Sequence, residues 1–360
     1  MKIVFVHLGK YLPNHLISNI KHVTNTFKKE VVLITDLQCK YKTDFSNSVK
    51  TFIYDRDESF ATLSKSLNHD RTFRDGFWFS SLERFFAIHN FHSFFPNESI
   101  MHIESDVLLL KDFPWQHITT RKGLMWENQN QHRDVSAIFY SENFSFTNWL
   151  IDKFPEEISL NPKATDMSIL RNIYHKYHNA IALSYFPTIS SSLPISEFFS
   201  QDLFNELKFQ EFANFQEFNG IFDAAGVGMW LTGQDPRNNY GFTKYFDNSL
   251  LKAGDCAIDL EKVLFTTNDG TLKISYGNFN IPIWNLHIHS KNLKYFESGW
   301  ERYLEKVVSK SNHAKNLLII FSLSTFGKLL INNWNQRSLR SYLRHLIKFS
   351  INLLKSLSRR

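Results

Sequence analysis

The sequence predicts an α/β fold: a mixed, mostly parallel sheet flanked by helices, followed by a basic amphipathic helical tail. Three observations predict it. Short β-rich runs alternate with helix-period segments over the first hundred residues, the pattern of strands joined by crossover helices. The strand-like runs are apolar on both flanks, as in strands covered on both faces. From Lys306 to Arg360 there are eleven Lys/Arg and no Asp or Glu, whereas residues 1–305 hold 30 basic and 35 acidic residues. The net charge of +6 therefore arises in the tail, and the division expected is 1–305 and 306–360.

In chain order, residues 2–8 read as a first buried strand and Pro13 to Phe27 as a helix with proline in its first turn. Val31–Thr35 and Val49–Tyr54 are short β-rich runs, and Phe77–Phe94 is a long aromatic helix stopped by Pro96-Asn97. Ser99–Leu110 reads as one further strand. Strands are expected at 122–127 and 136–140, and helices at 143–153 and 165–178. Residues 180–218 are Phe-rich without clear periodicity. Residues 219–241 are rich in glycine and small side chains, which lets backbone approach a ligand closely. Residues 281–291 alternate apolar and polar like a half-buried strand.

With 360 residues, the chain holds one large domain or two small ones. It is 43% hydrophobic, 21% charged and 16% aromatic, with 35 Phe; such content implies a large packed core or aromatic surfaces that hold sugars or partners. Cys39 and Cys256 are its two cysteines. They give neither a disulfide framework nor a CxxC metal site, and point to a reducing compartment. The N-terminal apolar run is too short for a signal peptide, and no stretch reaches the length of a transmembrane helix.

Residues 98–112 carry the densest chemical signal. Glu104 and Asp106 sit two apart inside apolar sequence, so on one strand they would share a face and converge on one point. Converging carboxylates need a cation or must hold a proton, and hard oxygen ligands suit Mg²⁺ or Mn²⁺. Two other acid-x-acid pairs lack this setting: Asp55/Asp57 runs into polar sequence as a solvated turn, and Asp259/Glu261 has helix-like surroundings. Asn285, His287 and His289 share one face of the late strand, as metal-binding imidazoles or as a solvated face, and Lys291 follows as a point charge for a phosphate or as a surface lysine. Arg84 on the aromatic helix is either a bidentate diphosphate ligand or half of a surface ion pair. Asp166 and Asp223 sit where helix caps are expected, with a substrate-facing role as the alternative. Asp235-Pro236-Arg237-Asn238 is a turn by composition.

Together, the strand opening at Gly9, the helix bearing Arg84, the Glu104-Ser105-Asp106 strand end and the late histidines resemble a GT-A type glycosyltransferase. The segments Phe-Asp-Ala-Ala-Gly at 222–226 and Leu-His-Ile-His-Ser-Lys-Asn-Leu at 286–293 resemble those of bacterial surface-polysaccharide (capsule or lipopolysaccharide) glycosyltransferases. The resemblance covers about residues 1–300 and departs from the family's Asp-x-Asp at Glu104. It implies a GT-A-like catalytic domain and a nucleotide-sugar donor contacted by His7, Gly9, Arg84, Glu104 and Lys291. It also implies Mn²⁺ or Mg²⁺ on Asp106 and Glu104 with His287 or His289, and a glycan or lipid-linked saccharide acceptor. If the enzyme inverts, Asp223 or Asp166 is expected as the base; if it retains, they position the sugar.

In the tail, Arg337, Arg340, Arg344, Lys348, Lys355 and Arg359 fall on one helical face, opposite Leu339, Leu343, Leu346, Leu353, Leu354 and Leu357. Residues 336–360 therefore read as a helix on an anionic membrane surface, with the cytoplasmic, inner face of the membrane as the expected location. No aromatic-basic motif suggests nucleic acid. Two other functions fit the same residues: a nucleotidyltransferase or other metal-assisted phosphoryl chemistry, and a non-catalytic membrane-bound nucleotide or glycan binder.

Overall fold

The computed structural model describes residues 1–40, 45, 47–56, 58–130, 133–188, 214–233, 264–276 and 279–312. The turn at 235–238, the Asp259/Glu261 pair, Asp57, Cys256 and the amphipathic segment 336–360 lie outside the described residues.

The described strands are β1 (Lys2–His7), β2 (Val31–Asp36), β3 (Val49–Tyr54), β4 (Ile100–Ile103), β5 (Val107–Leu109), β6 (Leu124–Asn130), β7 (Arg133–Ser141), β8 (Leu183–Phe186), β9 (Leu264–Asn268), β10 (Thr271–Tyr276), β11 (Phe279–Ile283) and β12 (Asn285–His287). Seven form the main sheet in the order β3-β2-β1-β4-β7-β6-β8. The β3-β2-β1-β4 half and the β6-β8 pair are parallel, and β7 runs antiparallel to both its neighbours. This is the mixed, mostly parallel sheet expected. β9, β10 and β11 form an antiparallel three-stranded sheet, and β5 pairs antiparallel with β12.

The larger helices are α1 (Asn14–Phe27), α2 (Glu58–Leu63), α3 (Phe77–Ser93), α4 (Trp115–Thr119), α5 (Phe144–Ile151), α6 (Phe154–Leu160) and α7 (Asp166–Tyr177), with the short α8 (Phe215–Phe218) and α9 (Gly226–Thr232) later in the chain. Strand alternation divides the core. Ile3, Phe5, Val31 and Leu33 pack with Leu16, Ile20 and Val23 of α1. Val4, Val32 and Ile34 pack with Leu82, Phe85, Phe86 and Phe91 of α3 and with Ile169, Leu170 and Ile173 of α7. The phenylalanines mesh edge to face, as Phe85 does with Phe139 and Phe154, the arrangement that ring quadrupoles favour. A third cluster joins Trp230, Leu272, Ile283, Leu286 and Ile288 to Trp300, Leu304, Val307 and Val308, the last four from a helix over residues 300–312. No helix among the described residues is long and apolar enough to cross a membrane.

One expectation changes. Ser99–Leu110 is not a continuous strand: β4 stops at Ile103, residues 105–106 form a turn closed by Val107 N–H donating to Glu104 O at 3.1 Å, and β5 leaves the main sheet to pair with β12. The three-residue strand β12 likewise ends at His287, short of the run to 291.

Central burial of histidine has a pH consequence. His102 on β4 is buried, its Nδ1 3.2 Å from Val4 O, and burial lowers its pKa to about 3. Its folded value lies below that of the unfolded chain, so below about pH 6.5 the unfolded state takes up a proton that the native strand refuses. Stability present at neutral pH is lost as pH falls from about 6.5 toward 3. This group alone should remove about 2 kcal/mol at pH 5. Urea unfolding at pH 7.5 and 5.0 checks this; a His102→Met variant should show a shallower acid slope.

Candidate active site

The carboxyl ends of β1, β2, β3 and β4 lie along one edge of the sheet, where ligands bind in open α/β folds. Beyond β4, Glu104 is held by its N–H to Ala137 O at 2.9 Å. The following turn is fixed from α1: Asn19 Nδ2 donates to Ser105 O (3.1 Å) and Val107 O (2.8 Å), and the His15 ring nitrogen lies 3.2 Å from Ser105 Oγ. A turn, rather than strand periodicity, therefore brings Glu104 and Asp106 together. The β5–β12 pairing sets His287 opposite Val107, which delivers the imidazole to the same point. His287 Nε2 lies 3.4 Å from Glu104 Oε2 and 3.4 Å from Asp106 Oδ1.

One ligand atom each from Glu104, Asp106 and His287 can lie within 4.8 Å of one another. Two carboxylates and an imidazole form a hard-to-borderline donor set that suits Mn²⁺ or Mg²⁺ better than a thiolate-seeking metal. His289 is not in this group. Its ring stacks on His287 at 4.3 Å and 25°, because the chain turns after β12; its Nε2 is buried without a hydrogen-bond partner, and burial with His287 alongside lowers its pKa to about 3. It buttresses His287.

Lys291, in a left-handed backbone conformation, places its ammonium on Asp106 Oδ2. Burial alone would raise the Asp106 pKa, but Lys291 and His287 outweigh it and hold the carboxyl well below its usual value. Arg84, two turns into α3, reaches Glu104 with Nη1; its Nη2 donates to Asp166 Oδ2 at 2.5 Å and to Ser136 Oγ at 2.6 Å. The guanidinium thus faces two carboxylates and is neither an exposed ion pair nor aimed at an open phosphate site. For Glu104 too, burial is overcome, here by Arg84, and the pKa is lowered.

Thr165 caps α7 through a capping box with Ser168, which leaves Asp166 for Arg84. Asp223 is a cap of unusual completeness. Its Oδ1 accepts from Ala225 N (3.1 Å) and Val227 N (2.9 Å), and its Oδ2 from Gly228 N (2.6 Å) and His287 N (3.0 Å). Asn285 closes the other side, accepting from Asp223 N at 3.0 Å. All four bonds to the Asp223 carboxylate oxygens come from backbone amides, so this carboxylate fixes α9 against β12 and is not placed to take a proton from an acceptor. Gly228 permits the contact: a Cβ there would stand 2.2 Å from His287 O.

His7, at the end of β1, keeps a buried Nε2 without a hydrogen-bond partner, and a Cβ on Gly9 would press on the same ring at 3.1 Å. Both lie on the strand-end edge, as does Asp36 at the end of β2. Sequence reasoning missed Ser136, the Asn19 clamp and Glu127, and it placed Asn285 on the histidine face without its bond to Asp223. Glu127 is fully buried on β6 and accepts from Ile138 N at 2.9 Å; burial, with Asp223 and Glu104 near, pushes its carboxyl well above the usual range. Nothing in its local sequence separates it from a surface strand residue.

No family model matches the chain, and no curated protein does. Solved structures similar to it include the galactosyltransferase LgtC with donor and acceptor sugar analogues (10% identical, covering 59% of this chain and 82% of that one, TM-score 0.38). Others are an active-site mutant of LgtC (11%, 48% and 70%, 0.33) and the PaToxG glycosyltransferase (12%, 49% and 69%, 0.31). All three are glycosyltransferases. At TM-scores below 0.5 the overlap carries no argument about activity, which rests on the site itself.

Proposed function

We propose that the protein is a GT-A type glycosyltransferase that moves a sugar from a nucleotide-diphosphate sugar to a glycan or lipid-linked saccharide. The observation that carries this reading is the meeting of Glu104, Asp106 and His287 at the strand-end edge, with Lys291 beside them. A divalent cation, Mn²⁺ or Mg²⁺, bound there would neutralise the diphosphate as negative charge grows on the leaving oxygen.

The chain's own residues have distinct parts in this proposal. Asp106 and Glu104 supply oxygen ligands and His287 a nitrogen. Lys291 meets the departing phosphate as a point charge, an interaction worth most in the transition state. Arg84 and Asp166 hold Glu104 in place, and Asp223 with Asn285 holds the strand that carries His287. His7 and Gly9 border the donor's nucleoside. Residues 306–360, through the basic face of 336–360, bring the enzyme to an anionic membrane surface on the cytoplasmic side and so to a surface-polysaccharide acceptor. This membrane part rests on the sequence alone; unchanged membrane partition after deleting 328–360 would dispose of it.

Product analysis tests the reading. Candidate nucleotide sugars incubated with the full chain and Mn²⁺ should release a nucleoside diphosphate. Release of pyrophosphate would indicate a nucleotidyltransferase, and binding without turnover, even with acceptor, a non-catalytic binder.

A further inference from the structure

An aromatic array stands at the N-terminal end of α3, outside the cluster of acids. The loop before it places Arg74 (φ 49°), Asp75 (φ 58°) and Gly76 (φ 82°) successively in the left-handed region. Two non-glycine residues there cost backbone energy that the surroundings must offset, and such strain gathers at binding sites. The loop presents Phe73 and Phe77, which stay 40% and 38% exposed. Both rings therefore forgo part of the stabilisation that full burial would give.

The rings pack on one another. Phe73 and Trp78 are nearly parallel (9°) at 5.9 Å, Phe77 stands on edge to Trp78 at 5.0 Å, and His69 stacks on Trp78 at 5.8 Å. The Arg74 guanidinium lies against Phe77 at 4.7 Å and holds it. Beside the array is a cavity of about 250 Å³ whose walls include Arg56, Arg71, Asp75, Phe79, Ser80 and Glu83.

Position links the array to the proposed chemistry. α3 leads into β4, and Arg84 on it is level with Glu104 at the strand-end edge. Phe77 precedes Arg84 by seven residues, so it stands about 10 Å further out along the helix axis. The cavity wall at Glu83 adjoins Arg84 in sequence. The array thus stands at the outer end of the helix that carries Arg84.

We propose that Phe73, Phe77 and Trp78 are the stacking platform for a neutral pyranose ring of the acceptor. This deepens the transferase reading and rests on it. Aromatic faces carry negative charge density, which attracts the weakly positive axial C–H face of a sugar. Arg74 lies over Phe73 and Phe77, and Asp70, Arg71 and Asp75 flank them in sequence, so two basic and two acidic residues adjoin the rings, with guanidinium donors and carboxylate acceptors that suit hydroxyl groups. An anionic lipid surface fits less well, because it would bring Asp70 and Asp75, both exposed, against like charge.

The full chain is applied to an array of neutral mono- to tetrasaccharides as wild type, Phe73→Ala/Phe77→Ala, Phe73→Tyr/Phe77→Tyr, Phe73→Leu/Phe77→Leu and the remote surface control Phe94→Ala. Wild type and the Phe94 control should retain at least one glycan. The alanine and leucine pairs should bind it at least tenfold more weakly, and the tyrosine pair should restore binding. In transfer assays the alanine pair should raise the acceptor KM tenfold with the donor KM unmoved. No retained glycan for the wild type, or equal binding by the alanine or leucine pair, overturns the platform. Metal-dependent donor cleavage without acceptor reports on the transferase reading separately, so either one can fail while the other stands.

Discussion

Replacing Arg84 by alanine should unfold the centre of the site. The partly buried Glu104 and the buried Asp166 share this one guanidinium, and Ser136 accepts a further hydrogen bond from it. Removing one member of a buried ionic cluster leaves the others desolvated without compensation, typically at a cost of about 3–5 kcal/mol. For a domain of ordinary stability, near 5–15 kcal/mol, that is a large fraction. Urea denaturation should show a lower midpoint, and activity should fall even where the chain stays folded, because Glu104 then has no fixed position. Arg84→Lys should recover part of the stability but little activity, since an ammonium cannot reproduce the fork that reaches both acids. If Arg84→Ala unfolds at the wild-type midpoint, the buried triad described above is wrong.

Asp106→Asn should leave the fold near wild type and disable the chemistry. The exchange conserves volume, and β5 and β12 keep their backbone pairing. What is lost is the negative charge that faces His287 and Lys291 together. By comparison with the removal of one preorganised electrostatic contact elsewhere, turnover should fall by about 10²–10³-fold or more. The donor's metal-dependent thermal shift should vanish with it, since ligand binding raises stability by mass action only while the site binds. A variant that turns over donor within threefold of wild type would place the chemistry elsewhere.

Much of the main sheet was legible because its elements are locally consistent. The alternation in β1 and β2, the proline before α1 and the aromatic periodicity of α3 all point one way. The acid pair was legible from its apolar setting, but its geometry was not. A turn inside an apolar run has no strong breaker in Glu-Ser-Asp, so period-2 reasoning extended the strand through it. His287 and His289 look equivalent by spacing; a strand end, set by pairing with β5, sets His287 against the acid pair and leaves His289 stacked on it. The roles of Arg84 and Asp223 depend on partners far along the chain, Asp166 for the first and Asn285 with the His287 amide for the second, which no local pattern reveals. Ser136 carried no signal because a single polar residue in a strand reads as its solvated face, and Glu127 carried none because it opens the polar run Glu127-Asn128-Gln129-Asn130, which reads as a strand running out into solvent.

The central claim is that Glu104, Asp106 and His287 bind one divalent cation, and Mn²⁺ titration followed by electron paramagnetic resonance tests it most directly. The wild-type chain should bind one Mn²⁺ in a site whose hyperfine signal changes when a nucleoside diphosphate is added. Asp106→Asn and His287→Ala should each lose that site, while His289→Ala keeps it. Mn²⁺ bound equally by wild type, Asp106→Asn and His287→Ala, or not bound by the wild type with diphosphate present, would contradict the account.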